Sequence, residues 1–310
     1  MTESSILRVC PLCNAPVVQI GRRIAKSSII QAWRDRLGID VSSELGAGSA
    51  FVELWCQRCG LGHFDPMLAG SAGFYANLQQ VDGYYSAERW EFDMACEDAA
   101  GAHALLEVGC GTGEFLLRQK RPGMNAAGLE LNPDAVRVAR SRGVDARVAS
   151  VESLADDEPN RYDCVCSFQV LEHVPEPVPF VQACIRLLRA GGCLIVCVPN
   201  NGGFIHRDPL NIWNLPPHHV LLWNLRSLRW LASEHGLAVE RVLYEPLSGF
   251  HEEWYHSLVI RPLVSRFAGP ATGTICAVAR QALRKRRIRS RIRGERIYVL
   301  MRKGRGDGCL

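Results

Sequence analysis

The chain has 310 residues, 47% of them apolar and 22% charged, which is ample for a buried core and excludes wholesale disorder. No run of eighteen apolar residues occurs, and the opening "MTESSILRVC" lacks the basic-then-apolar layout of a signal peptide, so a cytoplasmic protein is expected. The net charge of +4 hides an asymmetry: residues 280–310 hold twelve Lys/Arg and two acids, +10 locally, against −6 for everything before them. Basicity confined to one segment argues against nucleic acid as the partner.

Four of the thirteen cysteines form two pairs, "CPLC" (Cys10, Cys13) and "WCQRCG" (Cys56, Cys59). A Cys-x2-Cys turn lets two thiolates converge on one ion, and two such knuckles complete a tetrahedral site, so a closed, structural Zn2+ is expected. Four unligated thiols or a thiol-disulfide centre are the alternatives. The stretch between the pairs contains the helix-like "SSIIQAWRDRLGI", so residues 1–70 read as a zinc ribbon carrying an insertion. The other nine cysteines, several of them in "YDCVCSF" and "GGCLIVCV", read as small buried hydrophobes. Residues 71–103 read as a linker helix and substrate-side cap, in which Tyr84, Tyr85 and Trp90 either close over a pocket or pack into the core.

From residue 104 strands and helices alternate. "ALLEVGCGTGEF" is a buried strand, a glycine-rich turn and a helix start, and "AAGLELNPDAVRVARSRG" is a second strand, an acidic loop and a second helix. "YDCVCSFQVLEHV" and "GGCLIVCVPN" add two more strands, separated by the helix "PVPFVQACIRLLRAGG". The rhythm is that of a doubly wound parallel sheet, whose ligands sit beyond the carboxyl ends of the strands. Glycines let backbone approach a ligand, and an acid ending the second strand can hold ribose hydroxyls.

"EVGCGTG", "GLELNP", "FQVLEHV" and "GGCLIVCVPN", in that order and spacing over 104–244, resemble the signature motifs of class I S-adenosylmethionine-dependent methyltransferases. The resemblance implies an α/β, Rossmann-like methyltransferase sheet, here with an N-terminal zinc ribbon and a helical insertion before the last strand. It implies S-adenosylmethionine as cofactor: Gly109, Gly111 and Gly113 around its methionine portion, Glu107 on its amino group and Glu130, next to Leu131, on its ribose. Ser150 and Val151 would face adenine, with Ser where the family usually has an acid, and Phe168 and Gln169 would lie under the sulfonium.

"LNIWNLPPHHVLLW", residues 210–223, falls after the fifth strand of this core, over the cofactor side. Two prolines stiffen its approach to His218 and His219, and Trp213 and Trp223 offer flat surfaces suited to a sugar ring, an isoprenoid or the protein core. A hydroxyl or carbon acid attacking the methyl group must lose a proton, and imidazole has the appropriate pKa. His219, His218 and His173, the last beside Glu172 in "LEHV", are therefore the expected bases, with the choice among them open.

The ribbon pairing further resembles a methyltransferase subgroup associated with cell-surface glycan biosynthesis and sugar C-methyltransferases. That resemblance implies a glycan, nucleotide-sugar or lipid-linked sugar acceptor, methylated on oxygen or carbon. A quinone or small aromatic acceptor is the second expectation, and an inactive cofactor-binding regulatory protein the third. The methyltransferase core is assigned to 104–249, a basic helical insertion to 250–293, a final antiparallel strand to 294–304 and a tail to 305–310. Ending in a dense Arg/Lys cluster, the insertion would either lie peripherally on the inner face of an anionic membrane or pack on the domain or on a second copy in a homodimer.

Overall fold

The computed structural model describes residues 8–305 apart from 18 and 87, so the tail beyond Arg305 and the first seven residues lie outside the described residues. Strands β1 (Gln19–Ala25), β2 (Ala50–Trp55) and β3 (Gly62–Asp65) form an antiparallel sheet next to the cysteine knuckles. Between β1 and β2 runs the expected helix, Lys26–Leu37, ended by Gly38 in the left-handed region (φ 68°). Its inner face buries Ile29 and Trp33, whose ring meets Phe74 and Trp213 edge-on at 5.3 and 5.9 Å.

The strands β4 (Ala104–Val108), β5 (Asn125–Glu130), β6 (Asp145–Val148), β7 (Tyr162–Phe168) and β8 (Leu188–Pro199) follow. After them come the two-residue β9 (Leu221–Leu222), then β10 (Leu237–Pro246) and β11 (Arg293–Lys303). Seven of them make one sheet in the order β10-β11-β8-β7-β4-β5-β6, parallel from β8 to β6, with β11 antiparallel to both its neighbours. This is the mostly parallel, Rossmann-like methyltransferase sheet that the motifs imply. β4 and most of β7 and β8 are buried because helices cover both faces, so they read as continuous apolar runs instead of alternating ones. Cys164, Cys166, Cys193 and Cys197 are buried free thiols within these strands, filling the role expected of small hydrophobes.

Two features depart from the linear reading. The stretch after the ribbon is two helices, Ala72–Leu78 and Trp90–Asp98, in place of one linker helix; the turn around Gly83 (φ 80°) carries Tyr84 and Tyr85 between them. And β9, from the proline-histidine segment, pairs with β3 (Gly62 with Leu222, His63 with Leu221), completing the ribbon sheet as its fourth strand. Cys10, Leu12, Cys56, Cys59 and Leu61 accordingly share one apolar core with Leu106, Val196 and Leu228.

The insertion folds as helix Glu252–Tyr255, a π turn over His256–Ile260 and helix Arg261–Phe267, then helices Thr272–Leu283 and Arg286–Arg289. Trp254, Tyr255, Leu258 and Ile260 pack with Phe204, Ile205, Leu247 and Leu283, while Leu263, Phe267 and Val278 face outward. Among the described residues no helix is long and apolar enough to cross a membrane.

Candidate active site

A cleft of about 1700 Å³ opens at the carboxyl ends of β4, β5, β7 and β8, the switch point where strand order reverses. Ordinary ligand pockets hold roughly 300–1,000 Å³, so this one has room for a nucleotide cofactor and an acceptor together.

Its floor is the glycine turn after β4. Gly109 and Gly111 both have left-handed backbone (φ 79° and 51°), and a Cβ would lie 2.3 Å from Val170 Cγ2 and 2.7 Å from the Tyr85 ring. Only glycine fits either position. Gly113, also left-handed, starts helix Glu114–Arg118; it faces Val144 and does not line the cleft. Glu130 ends β5 and grips this turn, accepting from Gly111 N at 3.0 Å and Asn132 N at 2.9 Å. Leu131 follows at the rim, largely exposed. Glu107 lies under the turn, 3% exposed, with Oε2 lacking a hydrogen-bond partner among the described residues; burial raises its carboxyl well above the ordinary range.

Ser150 caps helix Val151–Asp157, its hydroxyl accepting from Ser153 N at 3.2 Å, and Ser150 and Val151 both line the cleft. Phe168 ends β7 with its ring edge-on to Phe115 and Phe92 (4.9 and 5.3 Å), so most of it serves the core. Gln169 turns left-handed (φ 55°), uncommon for a residue with a side chain, and carries the chain toward Glu172 and His173. An orphaned buried carboxylate, a glycine-only cradle and an acid one strand over are what a ribose- and ammonium-bearing cofactor requires, so the residues fit S-adenosylmethionine.

The opposite wall carries all three expected histidines. Glu172 is buried and its carboxyl pushed up to about 8 by desolvation. Its Oε1 lies 4.0 Å from His173 Nε2 and 3.8 Å from His219 Nε2. The rings of His218 and His219 stack at 4.4 Å, and His173 meets them edge-on at 4.7 and 4.8 Å. Burial lowers His173 to about 4, partly offset by the His218 and Gln169 carbonyls. It also holds His218 and His219 well below the ordinary imidazole value, each helped by its neighbouring imidazoles, so all three are neutral at pH 7. Tyr75, Tyr84 and Trp213 complete an aromatic wall around His218, at ring distances of 6.3, 6.1 and 5.3 Å. Trp223, by contrast, is fully buried and donates to Leu171 O at 3.1 Å, which makes it core and not wall.

The far end holds groups that the linear reading missed. Arg296 on β11 donates to the buried Glu91 at 2.9 Å and approaches Glu245, whose carboxyl burial raises to about 7. His251 and Trp254 of the insertion also face the cleft, so this segment forms part of its wall. No motif marks Arg296; its partner Glu91 is 205 residues away. The four knuckle sulfurs lie within 4.8 Å of one another, with Cys10 and Cys59 at 3.5 Å and Cys13 and Cys56 at 3.4 Å. That donor set suits one tetrahedral Zn2+.

Among curated proteins, the ubiquinone biosynthesis O-methyltransferases of Xanthomonas oryzae pv. oryzae (strain PXO99A) and Xanthomonas campestris pv. campestris (strain B100) are both 40% identical, over 118 and 113 residues. These alignments take in 36% and 34% of this chain and 49% and 47% of theirs, so the chain spans about half the length of the curated relatives it matches. A solved SAM-dependent methyltransferase from Archaeoglobus fulgidus is similar in fold, with a TM-score of 0.50 and 15% identity over 76% of this chain and 95% of its own. The family model described as a methyltransferase domain matches residues 87–242, just over half of the chain, including the glycine turn, Glu130 and the histidine wall. By that match the protein belongs to the methyltransferase-domain family.

Proposed function

We propose that the chain is an S-adenosylmethionine-dependent methyltransferase acting on a hydroxyl of a quinone-type or small aromatic acceptor, and that Cys10, Cys13, Cys56 and Cys59 hold a structural zinc. The observation that carries the acceptor class is the wall of Tyr75, Tyr84 and Trp213 around the imidazole cluster, a surface suited to a planar ring. The names of the curated relatives support it over the sugar-containing acceptor that the ribbon suggested.

When bound, S-adenosylmethionine supplies a methyl group on an electrophilic sulfonium. Glu107 would pair with its ammonium and Glu130 with its ribose, in the same cleft as the histidine wall. In-line placement of two reactants is worth roughly 7–11 kcal/mol. The acceptor hydroxyl would sit at the wall of Glu172, His173, His218 and His219, where its proton would depart.

Glu130→Ala is expected to weaken cofactor binding about 100-fold, the loss of two charge-assisted hydrogen bonds at about 1.5 kcal/mol each. Calorimetric titration checks this, and an affinity within threefold of wild type rules the ribose role out. The acceptor is tested with labelled methyl and paired substrates, a polyprenylated catechol and a nucleotide-linked deoxy-keto sugar. Label is expected in the catechol, extracted into organic solvent; label confined to the sugar would overturn the aromatic reading.

A further inference from the structure

The three wall histidines share an orientation that proton transfer alone does not require. His173 Nδ1 lies 2.5 Å from the His218 carbonyl, His218 Nδ1 lies 3.2 Å from the Trp213 carbonyl, and His219 Nδ1 lies 3.4 Å from the Asn214 side-chain oxygen. Each of these oxygens only accepts, so each Nδ1 carries the hydrogen and each neutral ring is left with a bare lone pair on Nε2. Two of those nitrogens face Glu172 Oε1 at 3.8 and 4.0 Å. The third, His218 Nε2, is buried without a hydrogen-bond partner among the described residues, as are both Glu172 oxygens. The cluster is therefore made of acceptors that cannot satisfy one another, at separations too long for a hydrogen bond even if Glu172 is protonated. One donor atom from each imidazole lies within 4.8 Å of the other two, close enough for a shared ion to draw them in.

We propose that His173, His218 and His219, with Glu172 as the adjoining carboxylate, form a second metal site in the cleft wall, for a first-row divalent cation. Imidazoles tied through Nδ1 to oxygen acceptors are the usual outer support of metal-bound histidine. Three nitrogens and one carboxylate suit zinc, iron, cobalt or nickel better than magnesium or calcium, which take oxygen sets. The site differs from the cysteine cluster in chemistry and in place: it lines the cleft, whereas the sulfurs sit in the core between ribbon and sheet. Resting on the acceptor reading above, a cation here would bind the acceptor hydroxyl and lower its pKa, its proton passing to solvent water.

The test is titration of Co2+ into protein carrying one equivalent of zinc, followed by calorimetry and visible absorption. One equivalent is expected beyond the cysteine-held zinc, without a thiolate-to-cobalt band, weakened at least tenfold in Glu172→Gln and abolished in His218→Ala/His219→Ala. His173→Asn, altering the most accessible of the three rings, gives the same readout if the double variant does not fold. Absence of the extra equivalent in folded wild type, or its persistence in these variants, overturns the proposal. Cobalt binding with no transfer to any aromatic acceptor would keep the metal site and sink the acceptor class, whereas full-rate transfer by protein lacking the second equivalent would sink the metal.

Discussion

Cys56→Ser is expected to lower the melting temperature by about 10 °C and to depress methyl transfer with it. Losing a ligand of a structural metal belongs to the few changes that cost about 4 kcal/mol or more. For a chain of this size each kcal/mol moves the midpoint by roughly 2–4 °C. The coupling to activity follows from connectivity. The ribbon's β3 pairs with β9, which begins two residues after His219, and Phe64 N donates to Val220 O at 3.2 Å. The second knuckle is tied to the same region, because Asn224 Nδ2 donates to Gly60 O at 2.6 Å and Arg226 Nη2 to Arg58 O at 3.0 Å. A loosened knuckle therefore loosens the histidine wall, and kcat should fall more than cofactor affinity, whose residues lie on β4 and β5. Zinc content, calorimetry and turnover on one preparation check this. Metal-free protein that melts and turns over like the loaded form would refute both the zinc and its link to the wall.

Glu107→Gln is expected to act in opposite directions on stability and on cofactor binding. This carboxyl is buried, with Oε2 unpaired among the described residues and its pKa raised, so above the ordinary carboxyl range the folded chain holds a proton that the unfolded chain releases. Its penalty is absent below the ordinary carboxyl range and grows as pH rises from there toward the raised folded value. Glutamine does not titrate, so this pH-dependent penalty should be missing in the variant, whose stability relative to wild type should rise with pH above the ordinary carboxyl range. The same change removes the negative partner of the cofactor's ammonium and should weaken S-adenosylmethionine binding roughly 10- to 100-fold. Wild-type affinity should also strengthen as pH rises through the raised value at which Glu107 ionises, a slope missing in the variant. A variant that binds cofactor as tightly as wild type would remove Glu107 from the site.

Much of this was legible in the linear chain, because the signals are local. Glycines at fixed offsets after an apolar run report a turn that needs positive φ, and Gly109 and Gly111 have it. Alternating strand and helix patterns report a parallel sheet, and paired Cys-x2-Cys knuckles report converging thiols. Tertiary structure alone decided where distant segments meet. Whether Trp213 or Trp223 faces the cleft depends on which way one short loop turns, and both are apolar aromatic residues in the same fourteen-residue stretch. The pairing of β9 with the ribbon needs partners some 160 residues apart, joined by backbone hydrogen bonds that any sequence can make. Three histidines in two segments were visible as candidates. Their convergence on Glu172, with every Nδ1 turned to an oxygen acceptor, arises only when the loop after β7 packs against the loop after β8, because burial and acceptor geometry belong to the assembled wall and to neither segment by itself.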